Sequence, residues 1–129
     1  MRKYIKTPVQ KRIEEDNPGL NVSPLPAGTV LILETMYSYY RVEVIEGKEV
    51  FVTGGMTKSG EDRFPNPTKA IIVGSTWGGS MIKVDWIGRD MRLELVFGDD
   101  LKNKLVTSRI INLIVEASDG SWNYSMDWK

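Results

Sequence analysis

The chain has 129 residues, 17 basic and 17 acidic side chains, no cysteine and no histidine, so its formal net charge is zero. That length fits one domain, and the missing residue types exclude disulfides, thiolate or imidazole metal sites, Ser-His-Asp and Cys-His catalysis, and any general base that titrates near neutrality unperturbed. Acid–base chemistry would rest on carboxylate, lysine or tyrosine groups, and zero net charge argues against a chain devoted to phosphate backbones.

No apolar run approaches the roughly 18–20 residues of a membrane span. The start, Met1-Arg2-Lys3-Tyr4-Ile5-Lys6, is basic but has no apolar stretch after it, so it does not read as a signal peptide and the cytoplasm is the expected address. Residues 7–16 predict a short helix. Thr7 suits the N-cap, Pro8 the first helical position and Gln10 a capping box, while Val9 and Ile13 share one face. Asn17-Pro18-Gly19 stops it. Two apolar anchors cannot hold so short a helix alone, so it must dock on its own sheet or on a partner. Residues 17–28, with three prolines and two glycines, read as an extended connector.

From Thr29 the pattern is β. Residues 29–35 form a strand, and residues 39–45 and 49–53 form a hairpin about Glu46-Gly47-Lys48, with Tyr40, Val42 and Val44 alternating against Arg41 and Glu43. Gly54-Gly55 is expected to end it, and residues 56–68 read as a long loop pinned by Phe64. Residues 69–75 are the next strand. Residues 81–87 and 91–97 predict a second hairpin about Gly88-Arg89-Asp90, with Met91, Leu93, Leu95 and Phe97 inward and Arg92 and Glu94 wet. Residues 104–115 supply the last strand or pair of strands, with Ile111, Leu113 and Val115 in step. The fold class is therefore all-β: a small antiparallel barrel or sandwich of about seven short strands with a short N-terminal helix, the barrel preferred because glycines stand where strands would bend. The expected organisation is a helix and connector over 1–28, a β domain over 29–116 and an aromatic-containing tail over 117–129.

The segment Gly74-Ser75-Thr76-Trp77-Gly78-Gly79-Ser80-Met81 is the most unusual. Glycines let backbone N–H groups converge, hydroxyls add donors and the indole offers a plate, so it is a candidate ligand or interface loop. The preferred reading is a glycine-bent strand connection packed closely against another chain segment, with Gly78 or Gly79 expected at positive φ or in close backbone contact. It lacks the Gly-Lys-Ser/Thr ending of a P-loop. Tyr37, Tyr39 and Tyr40, beside Arg41, could form a stacking platform or simply alternate between core and surface. Trp122, Tyr124 and Trp128 mark the tail as a candidate interface. Lys58, Arg63 and Lys69 are diluted by Glu61 and Asp62 and read as a solvated loop. Among the carboxylates Glu34, Asp85, Glu94, Asp99 and Asp100, none has calcium-loop spacing. Asp85 is the first to inspect, with a salt bridge the expected answer. Thr107-Ser108-Arg109 reads as structural, with Arg109 expected to pair with Glu34 or Asp85. No metal or cofactor is expected.

The order Glu34-Thr35, Ser38-Tyr39, Gly54-Gly55, Phe64 to Pro67-Thr68, Gly74-Ser75-Thr76 with Gly78-Gly79-Ser80-Met81, then Thr107-Ser108 resembles a group of small uncharacterised bacterial all-β proteins over residues 29–111. The resemblance implies no known activity and transfers no catalytic residue. It implies that the hydroxyl-glycine segment and the Thr-Ser pair belong to one shared feature of the fold.

The leading functional expectation is a non-enzymatic binding or assembly module acting through protein–protein contacts, with a partner or with itself. The alternative is a single-stranded nucleic-acid-binding barrel using Tyr37, Tyr39, Tyr40, Trp77 and Trp86 for stacking and Arg41, Lys83, Arg89 and Arg92 for phosphates. A third is a carboxylate-based hydrolase using Asp85, Glu34 and Ser80.

Overall fold

A computed structural model describes residues 18–56, 59–77, 81–98, 103–121 and 123–125, the side chain of Tyr124 excepted. Ten strands occur among them: β1 Gly19–Asn21, β2 Val30–Thr35, β3 Tyr39–Glu46, β4 Glu49–Met56, β5 Asp62–Thr76, β6 Lys83–Val84, β7 Trp86–Gly88, β8 Arg92–Phe97, β9 Asn103–Glu116 and β10 Asn123–Ser125. The all-β class stands. The helix expected over 7–16 lies outside the described residues, which contain no helix, and hence none long and apolar enough to cross a membrane.

The period-two pattern places the core as expected. Leu31 and Leu33 of β2, Val42 and Val44 of β3 and Val50 and Val52 of β4 are buried, while Arg41 and Phe51 face out. The β3–β4 hairpin forms in the register Tyr40↔Gly54 to Glu46↔Glu49, turning through Gly47 at φ 56°. Pairing then runs β2–β3–β4–β5–β8–β9, and β9 returns to β2, all antiparallel. Two long strands make this cycle possible. The first part of β5 pairs with β4 and its last part with β8, while residues 103–109 of β9 pair with β8 and residues 110–116 with β2. Register shifts at Ile72/Gly74 and Arg92/Glu94 let the sheet turn between the two sets of partners.

Three expectations need correction. Gly54-Gly55 does not end β4, and residues 62–68 are strand, not loop. The two glycines, at φ 92° and 72°, form an irregularity that bends β4 while it goes on pairing, Gly54 with Phe64 and Met56 with Asp62. A Cβ on Gly54 would lie 2.8 Å from the Tyr39 carbonyl oxygen, and one on Gly55 would meet the Tyr40 ring. Pro65 and Pro67 suggest a loop, yet they sit where β5 has a neighbour on one side only, since β8 joins at Ala70. A proline is tolerated there and removes donors from an edge that could recruit another strand.

Second, residues 81–97 are not a hairpin. β6 pairs with β5, β7 with β1, and β8 with β5 and β9. Asp85, in the left-handed region at φ 60°, is the corner between β6 and β7. Its N–H donates to Val73 O (3.1 Å) and its carbonyl accepts from Val22 N (2.8 Å), so the chain leaves the edge of β5 to close one end of the core with β1. The Gly88-Arg89-Asp90 turn exists, with Met91 N donating to Gly88 O at 3.2 Å, but it joins strands that do not pair. Met91, Leu93 and Leu95 are inward as expected, and Phe97 stacks on Phe64 with centroids 5.2 Å apart. Glu94, expected wet, is only 8% exposed and holds Lys104 at 3.3 Å.

Third, a shift at Glu34/Thr35 puts Ile110, not Ile111, in the core alongside Leu113 and Val115.

Candidate functional site

The register brings three strand positions and one turn together at one end of the cycle. Thr76 of β5 pairs with Arg92 of β8, which pairs with Arg109 of β9. The Arg109 carbonyl accepts from Met36 N at 3.0 Å, in the β2–β3 turn. Trp77 follows Thr76 and Tyr37 follows Met36, so two aromatics flank two arginines across neighbouring strands.

The turn that carries Tyr37 is fixed from inside. Thr35 Oγ1 accepts from Ser38 N (3.1 Å) and Tyr37 N (3.4 Å) and donates to Ser38 O (3.1 Å). Thr35 and Ser38 are buried and leave Met36 and Tyr37 at the tip. Tyr37 is 74% exposed and Trp77 62%. Met36, Tyr39 and Met56 are also exposed, and Arg109 Nη2 donates to Met36 Sδ at 3.4 Å. Arg92 is exposed, with Nη1 donating to Thr107 O at 3.4 Å. Trp77, Met81, Ile82, Lys83, Met91 and Ser75 line an adjoining cleft of about 320 Å³, with Met81 79% exposed. Lys83 Nζ lies 3.6 Å from the Trp86 ring centroid, a cation–π contact that fixes its stem beside this cleft.

The residues singled out in the sequence divide between frame and surface. Gly74, Ser75 and Thr76 are strand, not loop. Ser75 is fully buried, where its hydroxyl donates to Trp86 O and accepts from Gly88 N (3.3 Å), tying β7 to β5. Ser75→Ala leaves those backbone groups unpaired and should cost about 1–3 kcal/mol in urea unfolding; a loss under about 0.5 kcal/mol would remove this role. Thr76 is buried as well. Gly78, Gly79 and Ser80 lie outside the described residues, as do Lys58, Trp122 and Trp128, so the expectation for the glycine pair falls there too. Tyr124 stands on β10 opposite Val115. Tyr40 packs in the core and Trp86 is 8% exposed, so neither is a stacking surface, whereas Tyr37 and Tyr39 are open. Thr107 is structural as expected: its Oγ1 accepts from Leu93 N at 3.0 Å and donates to Ser108 O at 2.8 Å.

The carboxylates do not converge. Asp85 Oδ1 is paired with Lys48 Nζ at 3.1 Å, in place of the expected Arg109. Glu34 pairs across to Tyr39 at the start of β3, and Lys48 lies beyond its end. An eight-residue strand spans roughly 23 Å at ~3.3 Å per step, which separates Glu34 from Asp85. Ser80, Asp99 and Asp100 lie outside the described residues, among which no group of three acidic side chains could hold a metal. Among the described residues two groups have displaced pKa values, both on the open surface. Glu49, 2.9 Å away, holds the Lys69 ammonium above its usual range by hydrogen bond and charge. Hydrogen bonds from Ser121 hold Asp119 below the usual carboxylate range.

A second cleft of about 320 Å³ opens where β5 and β9 diverge, over the Phe64–Phe97 stack and between Arg63, Thr68, Asn103 and Lys104. Its charged rim is partly spent, since Lys104 pairs with Glu94.

Arg109 and Met36 are not marked as site residues by sequence reasoning. Their membership follows from strand order, which no local pattern encodes. Compared with known proteins, the chain matches no family model, no curated protein and no solved structure.

Proposed function

We propose that this chain is a non-enzymatic, cytoplasmic binding module, its pairing cycle a small barrel, that meets a protein partner through the end formed by Met36, Tyr37, Trp77, Met81, Arg92 and Arg109. One observation carries the reading: the composition of that exposed end. Aromatic, methionine and arginine side chains are the types enriched at protein interfaces, where lysine and carboxylates are depleted, and here they stand exposed on adjoining elements. Two aromatics at 74% and 62% exposure would bury large, stiff surfaces on contact. The chemistry that fits is a partner segment with apolar side chains and nearby carboxylates for the two arginines.

The test compares the full chain with a Tyr37→Ala/Trp77→Ala variant as baits for partner capture. Both side chains are exposed, so unfolding should shift by no more than about 0.5 kcal/mol. Each is of hot-spot type, so capture should weaken by about 30-fold or more, which corresponds to 2 kcal/mol. Equal capture by both baits would move the contact elsewhere.

The same geometry favours one second reading, single-stranded nucleic acid. Tyr37 and Trp77 could stack bases beside Arg92 and Arg109. Anisotropy with mixed oligonucleotides at about 50 mM salt separates the two. Binding there that the double variant abolishes would favour nucleic acid over protein.

A further inference from the structure

We propose that the cleft over the Phe64–Phe97 stack is a separate binding site, for a small molecule that joins a flat aromatic ring to a carboxylate. This goes beyond the proposed function. Phe97 ends β8 and Arg92 begins it, so the two sites stand about 17 Å apart along that strand at ~3.3 Å per residue.

The floor of the cleft belongs to the core. Phe64, Phe97 and Leu105, from β5, β8 and β9, are half-buried and pack against the buried cluster. The two rings stack with centroids 5.2 Å apart and 29° between their planes, which makes one aromatic ledge. Strand order explains why the ledge is open. β8 meets β5 first at Ala70, where Phe97 is its last residue, so among the described residues no strand lies on that side of residues 62–69. Pro65 and Pro67 deprive this edge of donors, which makes it a poor template for another strand. The resulting cleft of about 320 Å³ is apolar below with a few polar groups around it, the form and size of a small-molecule site.

The rim sets the charge of the ligand. Its polar members are Arg63, Thr68, Asn103 and Lys104, with no acidic side chain among the described residues that line it. Two of these are already engaged in the fold. Lys104 is held by the buried Glu94 at 3.3 Å, and the Thr68 hydroxyl donates to Asn66 O at 3.0 Å. Arg63 is exposed and takes part in none of the ion pairs among the described residues. Its planar fork of donors matches a carboxylate in two parallel hydrogen bonds. Asn103, on the β9 side of the cleft, adds a neutral amide. A carboxylate at Arg63 would leave its attached ring against the Phe64–Phe97 ledge, where ring–ring contact adds to plain apolar burial.

The test is a titration of the isotope-labelled full chain with cinnamate, followed through amide shifts by NMR. Saturable shifts should centre on Phe64, Thr68, Phe97 and Asn103, with a dissociation constant of about 4 mM or tighter, as a ligand of this size commands. Arg63→Gln removes an exposed charge and leaves the floor intact. It should weaken cinnamate about threefold to tenfold and leave the neutral cinnamamide unchanged. Nonanoate, an acid with as many carbons and no ring, should bind more weakly than cinnamate. Four results overturn the proposal. They are no saturation by about 40 mM cinnamate, shifts centred on Tyr37 and Trp77, cinnamate affinity unaltered by Arg63→Gln, or nonanoate bound as tightly as cinnamate.

Discussion

Leu93→Ala is expected to destabilise the fold by about 2–5 kcal/mol, the range for a fully buried leucine whose cavity cannot collapse. Leu93 is completely buried between Ser75 of β5 and the β9 strand, and its own N–H is held by Thr107 Oγ1. The neighbouring strands β5 and β9 are themselves paired with further strands, β4 and β2, so they have little freedom to move in. Arg92→Ala, one residue earlier and exposed, should change stability by less than about 0.5 kcal/mol. Urea unfolding of the two variants checks both. A small loss for Leu93→Ala beside a large one for Arg92→Ala would mean that the faces of β8 are reversed.

Gly74→Ala is expected to cost about 2–4 kcal/mol, from a strained backbone and an overpacked contact together. Gly74 has φ 155°, and a Cβ there would run into the Lys83 carbonyl, part of the backbone of β6. It lies at the register shift where β5 leaves Ile72, with β6 on one side and Glu94 of β8 on the other. Backbone cannot swing aside as a side chain can, so either β6 detaches or β5 deforms. Gly47→Ala is the informative comparison. Gly47 also has positive φ, at 56°, but nothing lies within 4 Å of its added Cβ. It should cost only the left-handed penalty, about 1–2 kcal/mol. If Gly74→Ala proved no worse than Gly47→Ala, β6 would be free to move and the close approach would have no structural role.

The parts of the fold that could be read directly are those set by neighbours in sequence. Tyr40, Val42 and Val44 alternate, Gly47 supplies the turn, and a hairpin follows with no further information. From Met91 into β8 the same alternation gives the buried face of Met91, Leu93 and Leu95 correctly but says nothing of their partner. A period of two fixes which way side chains point, not which strand lies alongside. Residues 81–97 therefore read as a hairpin, although Asp85 sends the chain away and β7 finds β1 from far upstream. Pro65 and Pro67 misled for a related reason. They are incompatible with a strand paired on both sides, and only the strand order shows that β5 is paired on one side there. The candidate site divides in the same way. Tyr37 and Trp77 stood out as aromatics beside turns and glycines. That they share an end with Arg92 and Arg109 depends on the long-range order β5–β8–β9–β2.

Whether this end makes a specific protein contact is decided by quantitative capture with three baits compared by mass spectrometry. These are the full chain, its Tyr37→Ala/Trp77→Ala variant, and a Phe51→Ala variant that removes an exposed aromatic from the outer side of β4. Proteins retained by the full chain and by Phe51→Ala should be lost from the double variant, with all three baits equally folded. Retention of the same proteins by all three, or the same loss from Phe51→Ala as from the double variant, would contradict it.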